Sequence, residues 1–339
     1  MIEMEMYKEF SWMRRIPFLL VMFMNFLFLT SCSNEQYPSI AEDANVAITV
    51  NLKDMTISFI NIDTKKELEE WKMEKPYIGG IILPDGDSFL LYGKQIDTVD
   101  IFSLKQGKMI SSWRTGKGIV SGKVLENGEE IVFADQSMNT VRFYSLDGLE
   151  LATVKTDSGP LTLLEEDETL YIVSYTSGTM TKLDIGQKKI VDSFSIHPSA
   201  TGALLKNQNE IWIGGHGEGT ELENDIHVYE TRSGKLLRTI PAPVMPINFS
   251  QNDDYVYVLS HGSNMLYQLD KGGVAVNSTK IGANPFELKT YADYIIVAGY
   301  DSNDVHLVHY ETLNIVKSIP VGKGPFQLII RERVIGEQS

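Results

Sequence analysis

Six short runs of apolar residues recur along the chain: FLLYG at 89–93, IVFAD at 131–135, LYIVSY at 170–175, IWIGG at 211–215, VYVLS at 256–260 and IIVAGY at 295–300. Rich in β-branched and aromatic residues and bounded by polar turns, they predict strands rather than helices. Their last residues fall about 40 apart, with one interval near 45, the spacing of a structural repeat. Each run follows a polar turn (PDGD, ENGEE, EEDE, KNQNE, QNDD, YAD) and precedes a strand, a tight turn and another strand. Those tight turns carry Gly107, Gly148, Gly186, Gly234, Gly272 and Asn314, residue types that tolerate the positive φ such turns require.

A seventh hairpin, ISFINIDTKKELEEW at 57–71, precedes the first complete unit. Seven hairpins but only six complete units imply a repeat divided between the two ends of the array. The unit reads as four strands, a to d from inside to outside, the blade of a propeller. VAITVNL at 46–52 and the first hairpin supply strands b, c and d of the divided blade, and PFQLIIRERV at 325–334 supplies its innermost strand a. The expected fold is an all-β, seven-bladed β-propeller over 45–336, closed by pairing of its N- and C-terminal strands. Closure removes the free edges that would template aggregation. Trp71, Trp113 and Trp212 fall on strands and are expected to pack between blades.

The stretches YVYVLSHGSNMLYQLD (255–270), IGANPFEL (281–288) and IPVGKGPFQL (319–328) resemble the YVTN-type β-propeller family in their strands and in the V-G-x-x-P blade junction. The resemblance spans residues 45–334 and implies the same fold. The GH…WD signature of WD repeats and the double glycine of kelch repeats are absent.

Met13-Arg14-Arg15 precedes a 14-residue apolar run at 16–29, the pattern of a secretory signal and too short for a typical membrane span. The first 12 residues carry three glutamates, so Met13 reads as the true start. LTSC at 29–32 resembles the lipobox of bacterial lipoproteins, which implies lipidation of Cys32, the sole cysteine of the chain. Residues 1–31 are thus expected to be a signal peptide, and 32–44 a lipidated cysteine with a flexible, polar tether. The expected location is the cell envelope, extracytoplasmic and lipid-anchored to a membrane. With one cysteine no internal disulfide can form, so stability must come from core burial. The net charge of −15 argues against nucleic acid as a partner, because phosphate binding needs a basic surface.

Alternating strands place a–b and c–d turns on one face, b–c loops and d–a junctions on the other. The first face is acidic near its centre, with Asp85, Asp87, Glu165 and Glu166 among others, and basic at its rim, a pattern expected of solvated turns. The second face carries one candidate ligand-binding residue per complete unit, just past strand b: Lys94, Asp135, Tyr175, His216, His261 and Tyr300. The longest loop, 214–225, follows strand b in the unit of His216 and accounts for the interval near 45. His216, His261 and Asp135 are weak candidates for a divalent metal. His197, His227, His306 and His309 read as satisfied structural histidines.

No G-x-S-x-G elbow, no phosphate-binding glycine loop and no C-x-x-C-H motif occurs, so c-type haem is not expected and no cofactor is assigned. The expected role is a binding or scaffolding module for an envelope protein, peptide or cell-wall ligand. The alternative is a lactonase-like propeller hydrolase with a divalent ion held by Asp135, His216 and His261 at the channel mouth.

Overall fold

The computed structural model describes residues 35–333, which leaves the apolar segment, Cys32 and the final residues of the expected propeller span outside. No helix occurs among the described residues, and seven four-stranded antiparallel sheets account for nearly all strands. The expectation of a seven-bladed propeller holds. Blade 2 shows the plan: Gly79–Ile82 innermost, then Ser88–Tyr92, Thr98–Ser103 and Lys108–Arg114 outermost. Blades 3, 4, 6 and 7 repeat it, and blade 5 adds a two-stranded hairpin, Gly217–Glu218 with Glu221–Leu222, between its second and third strands.

Blade 1 is assembled from both ends of the array. Its inner strand Pro325–Arg331 pairs with Val46–Asn51, matching Val46 with Arg331, Ile48 with Ile329 and Val50 with Gln327. Thr56–Asn61 and Lys66–Lys72 complete it.

Burial explains why some strands are legible in sequence and others are not. The second strand of each blade is covered on both faces by neighbouring blades, so VAITVN and SFLLY are buried throughout. The outermost strand meets water, and KMISSWR is exposed at most positions. Apolar side chains gather in clusters that bridge adjacent blades. Phe59 and Trp71 of blade 1 meet Phe89 and Phe102 of blade 2, while Trp212 of blade 5 meets Phe249 and Val258 of blade 6. Ala47 and Ile60 of blade 1 pack with Ile296 and Leu307 of blade 7, so the seam that closes the ring has the same kind of core as the others.

The left-handed residue of the outer hairpins follows the hydrogen bonding of the turn, not the nearest glycine. It is Gly107, Gly148 and Gly234 as expected, but Lys188, Gly273 and Leu313 in place of Gly186, Gly272 and Asn314. Leu313 N–H donates to His309 O and Gly273 N–H to Asp270 O, so the residue whose amide closes the turn takes the positive φ.

The expected tether is packed over much of its length. Tyr37 stacks on Trp71 with centroids 4.9 Å apart, Trp71 Nε1 donates to Pro38 O, and Ile40 is buried in the core between blades 1 and 2. The packed unit therefore begins at Tyr37 rather than at 45. Arg331, at the end of the closing strand, is buried and donates to the carbonyls of Ala41 and Ala44. One side chain thus fastens the N-terminal segment to the C-terminal strand.

Truncation after Pro320 should abolish cooperative melting and drive self-association, as read by calorimetry and light scattering; a sharp, monomeric transition would contradict closure. Arg331→Ala, which strands the buried carbonyl of Ala44 and also removes the bond to Ala41, should cost roughly 1–3 kcal/mol in denaturant unfolding.

Candidate functional site

The face bearing b–c turns and d–a junctions is fixed by a repeated asparagine. Asn139, Asn264 and Asn303 sit in b–c turns with φ of 54°, 57° and 56°, a conformation asparagine accepts more readily than most residues. Their side-chain oxygens accept the junction amides of Gly159, Asn284 and Gly324 at 2.7–2.9 Å. Each junction is thereby pinned where the next innermost strand begins. In blade 7 and in the closing strand that beginning is Pro-Phe, which places Phe286 and Phe326 side by side at 4.5 Å.

These two rings end a continuous aromatic arc. Tyr175 meets His216 edge-on at 6.4 Å, His216 meets His261 at 5.0 Å, and His261 meets Phe286 at 5.9 Å. Phe286 and Phe326 both contact Tyr300, over which the Lys53 ammonium sits at 4.3 Å. The arc crosses blades 4 to 7 and reaches blade 1. The contacts from Tyr175 to Phe286 are edge-to-face and the Phe286–Phe326 pair is tilted by 35°, so the arc is a continuous run of rings that offers apolar area to a ligand.

Both histidines of the arc are held neutral. Burial, then the neighbouring His261, lowers the pKa of His216. Burial lowers His261 as well, against the opposing hydrogen bond between its Nδ1 and Asn284 Oδ1 at 2.7 Å. His261 Nε2 lies against Met245 Sδ. His216 Nδ1 is buried without a protein partner. The mouth on this side is therefore aromatic and uncharged.

Of the six residues expected at this mouth, Tyr175, His216, His261 and Tyr300 come together in the arc. Lys94 is exposed on blade 2 and bonds Gln136. Asp135 is spent on its own turn: fully buried, it accepts the amides of Ser137 and Met138 through Oδ1 and pairs with Arg142 through Oδ2 at 3.3 Å. It is not joined to His216 and His261, so the three weak metal candidates do not form a ligand set. The arc members absent from the sequence reading are Phe286 and Phe326. Their signal was present in the two G-x-x-P-F junctions, but a phenylalanine opening a strand reads as core.

No protein-family model matches the chain, and no curated protein does. Among solved structures the chain is similar to a functionally unknown protein from Desulfotomaculum acetoxidans, with TM-score 0.71, 13% identity, and coverage of 86% of this chain and 100% of that one. It is also similar to Kuenenia stuttgartiensis hydrazine synthase, with TM-score 0.69, 14% identity, and coverage of 84% and 99%. BamB from Moraxella catarrhalis matches with TM-score 0.57, 11% identity, and coverage of 86% and 92%. At these identities the likeness establishes the class, a seven-bladed β-propeller, and the function must be argued from the site.

Two predictions separate supporting from surface residues. Asp135→Ala, which strands the amides of Ser137 and Met138 and removes one of the two carboxylates paired with Arg142, should cost about 1–3 kcal/mol, whereas Tyr175→Ala should stay within about 0.5 kcal/mol. Arg142 also bonds Glu150 and holds its pKa down to about 2, from 4.5. A carboxyl whose folded pKa lies below its unfolded value adds stability above the unfolded value and loses it as pH falls. The melting-temperature advantage of wild type over Glu150→Gln should be full at neutral pH and vanish between about pH 4.5 and 2.

Proposed function

We propose that the chain is a lipid-anchored, extracytoplasmic binding propeller whose ligand, an envelope protein, peptide or cell-wall component, seats on the arc from Tyr175 to Phe326. The arc itself carries this reading. Half-buried rings on a rigid disc present apolar area that needs little ordering on binding. The Lys53 ammonium that covers Tyr300 is paired with Asp301 Oδ1 at 2.7 Å, so the arc suits a ligand that presents a flat apolar group rather than a charged one. The apolar run before Cys32 and the lipobox-like LTSC support the anchor, since two or more acyl chains hold a protein on a bilayer where one does so only marginally. The V-G-x-x-P junctions support placing the repeat with the YVTN type. Hydrolysis through Asp135, His216 and His261 is the weaker reading, because the Asp135 carboxylate is turned into its own turn.

Crosslinking and pulldown of the full chain from its native membrane tests the ligand. Tyr175→Ala with Phe286→Ala should lower recovery of a specific envelope component at least about tenfold, the equivalent of some 1.4 kcal/mol, while melting stays cooperative. Equal recovery would refute the arc as the binding surface. Cys32→Ser should shift the chain from the membrane to the soluble fraction; retention on the membrane would refute the anchor.

A further inference from the structure

A second cluster lies in blade 5, behind the long loop. His197 sits in the junction entering the blade, Glu223 closes the loop after Glu221–Leu222, and His227 lies on the third strand, Asp225–Glu230. One ligand-capable atom from each falls within 4.8 Å of the others, the one such trio of histidine, cysteine or carboxylate residues among the described residues. His227 Nε2 and Glu223 Oε2 are 3.1 Å apart. The two imidazoles stack at 4.2 Å, an unfavourable neighbour for either ring if charged.

Two observations separate this trio from an ordinary hydrogen-bonded cluster. Neither ring nitrogen of His197 has a protein partner, and both are buried. Leaving buried polar atoms unmade is costly, and a structural histidine normally satisfies at least one. The His197 backbone N–H donates to the Tyr229 hydroxyl at 3.0 Å, which fixes the main chain, and the ring itself stacks on His227. The carboxylate is equally prepared: Glu223 Oε1 accepts the amides of Asn224 and Asp225 at 3.0 Å each, which leaves Oε2 to face the imidazoles. Such outer bonds are how proteins orient a metal-binding carboxylate.

We propose that His197, Glu223 and His227 form a binding site for a divalent transition metal of the zinc class, with a fourth position for water or an exogenous ligand. Two imidazoles and one carboxylate are a donor set that zinc accepts. Metal–ligand bonds of about 2.0–2.1 Å in a tetrahedron put ligand atoms about 3.3 Å apart, close to the separation His227 and Glu223 already show. The imidazoles, stacked at 4.2 Å, would have to turn so that one nitrogen of each points at the ion. Binding would replace the His227–Glu223 contact and give His197 the partner it lacks. The metal would also tie the loop to the blade body from both sides, since Glu223 N–H bonds His216 O, and His216 N–H bonds Ser199 O, two residues past His197. This site does not depend on the arc being a binding surface, because none of its three residues belongs to the arc.

The test is titration of the purified, chelator-stripped full chain with Zn(II) by calorimetry and with Co(II) by absorption. Wild type should take up one equivalent and develop the intense visible bands of tetrahedral cobalt. Glu223→Gln and His227→Gln should each weaken binding beyond the roughly 10–100-fold typical of an outer contact, while melting in chelator as wild type does. His216→Gln and His261→Gln should bind normally. Zinc-edge X-ray absorption on loaded wild type needs no variant and should show two imidazoles with oxygen. Absence of a saturable equivalent, normal binding by Glu223→Gln and His227→Gln, loss of binding in the arc variants, or an all-oxygen shell would each overturn the assignment.

Discussion

The disc depends on how the innermost strands hold one another around the central axis. At one position near the start of five of the seven such strands, a polar side chain reaches the backbone of the next blade. Ser121 donates to Leu161 O, Thr162 to Thr201 O and Asn248 to Phe286 O; Glu287 accepts Leu328 N–H and Gln327 accepts Gly80 N–H. These bonds run around the circle from blade 3 to blade 5 and from blade 6 through blade 1 to blade 2. They satisfy groups on edges that no sheet ladder uses, inside the most crowded part of the fold. At the corresponding place in blade 5 stands Gly202, where a Cβ would lie 2.1 Å from Ile247 O. There the strands approach too closely for any side chain, and backbone contact replaces the polar bridge.

This inner circle sets the geometry of the mouth. Because neighbouring inner strands are locked near their first residues, whatever occupies those positions is held at a fixed separation from its neighbour. Two phenylalanines there become a closely packed, tilted pair, joined by the residues past the second strands. The same face carries the deviation in blade 5, where an extra hairpin adds Glu223 to two histidines from the blade body. Regular blades thus supply rigidity, and departures from the repeat supply the chemistry.

Much of this was legible in the sequence because strand b is covered on both sides and its apolar run cannot be mistaken for a surface element. The split blade followed from arithmetic on hairpins. The side-chain environment was less accessible. Asp135 occupies the same position in its repeat as His216 and His261, yet a short carboxylate two residues before backbone amides bonds its own turn, an outcome that depends on turn geometry and on Arg142 across the hairpin. His197 and His227 are 30 positions apart and looked unremarkable until the fold stacked them. Tyr37 and Ile40 lie in a polar stretch whose composition suggests a tether, and only the groove beside Trp71 reveals where they go.

Pairing of Val46–Asn51 with Pro325–Arg331 joins segments separated by nearly the whole chain. Until that pairing forms, the first blade is left with an apolar edge uncovered. Every intervening blade has its four strands contiguous and can assemble in passing. Closure therefore rests on one long-range encounter, slow because of the loop it must close, which converts an open arc of wedges into a ring. Partial products would carry that waiting strand as their point of vulnerability, a natural target for a holding chaperone or for quality control.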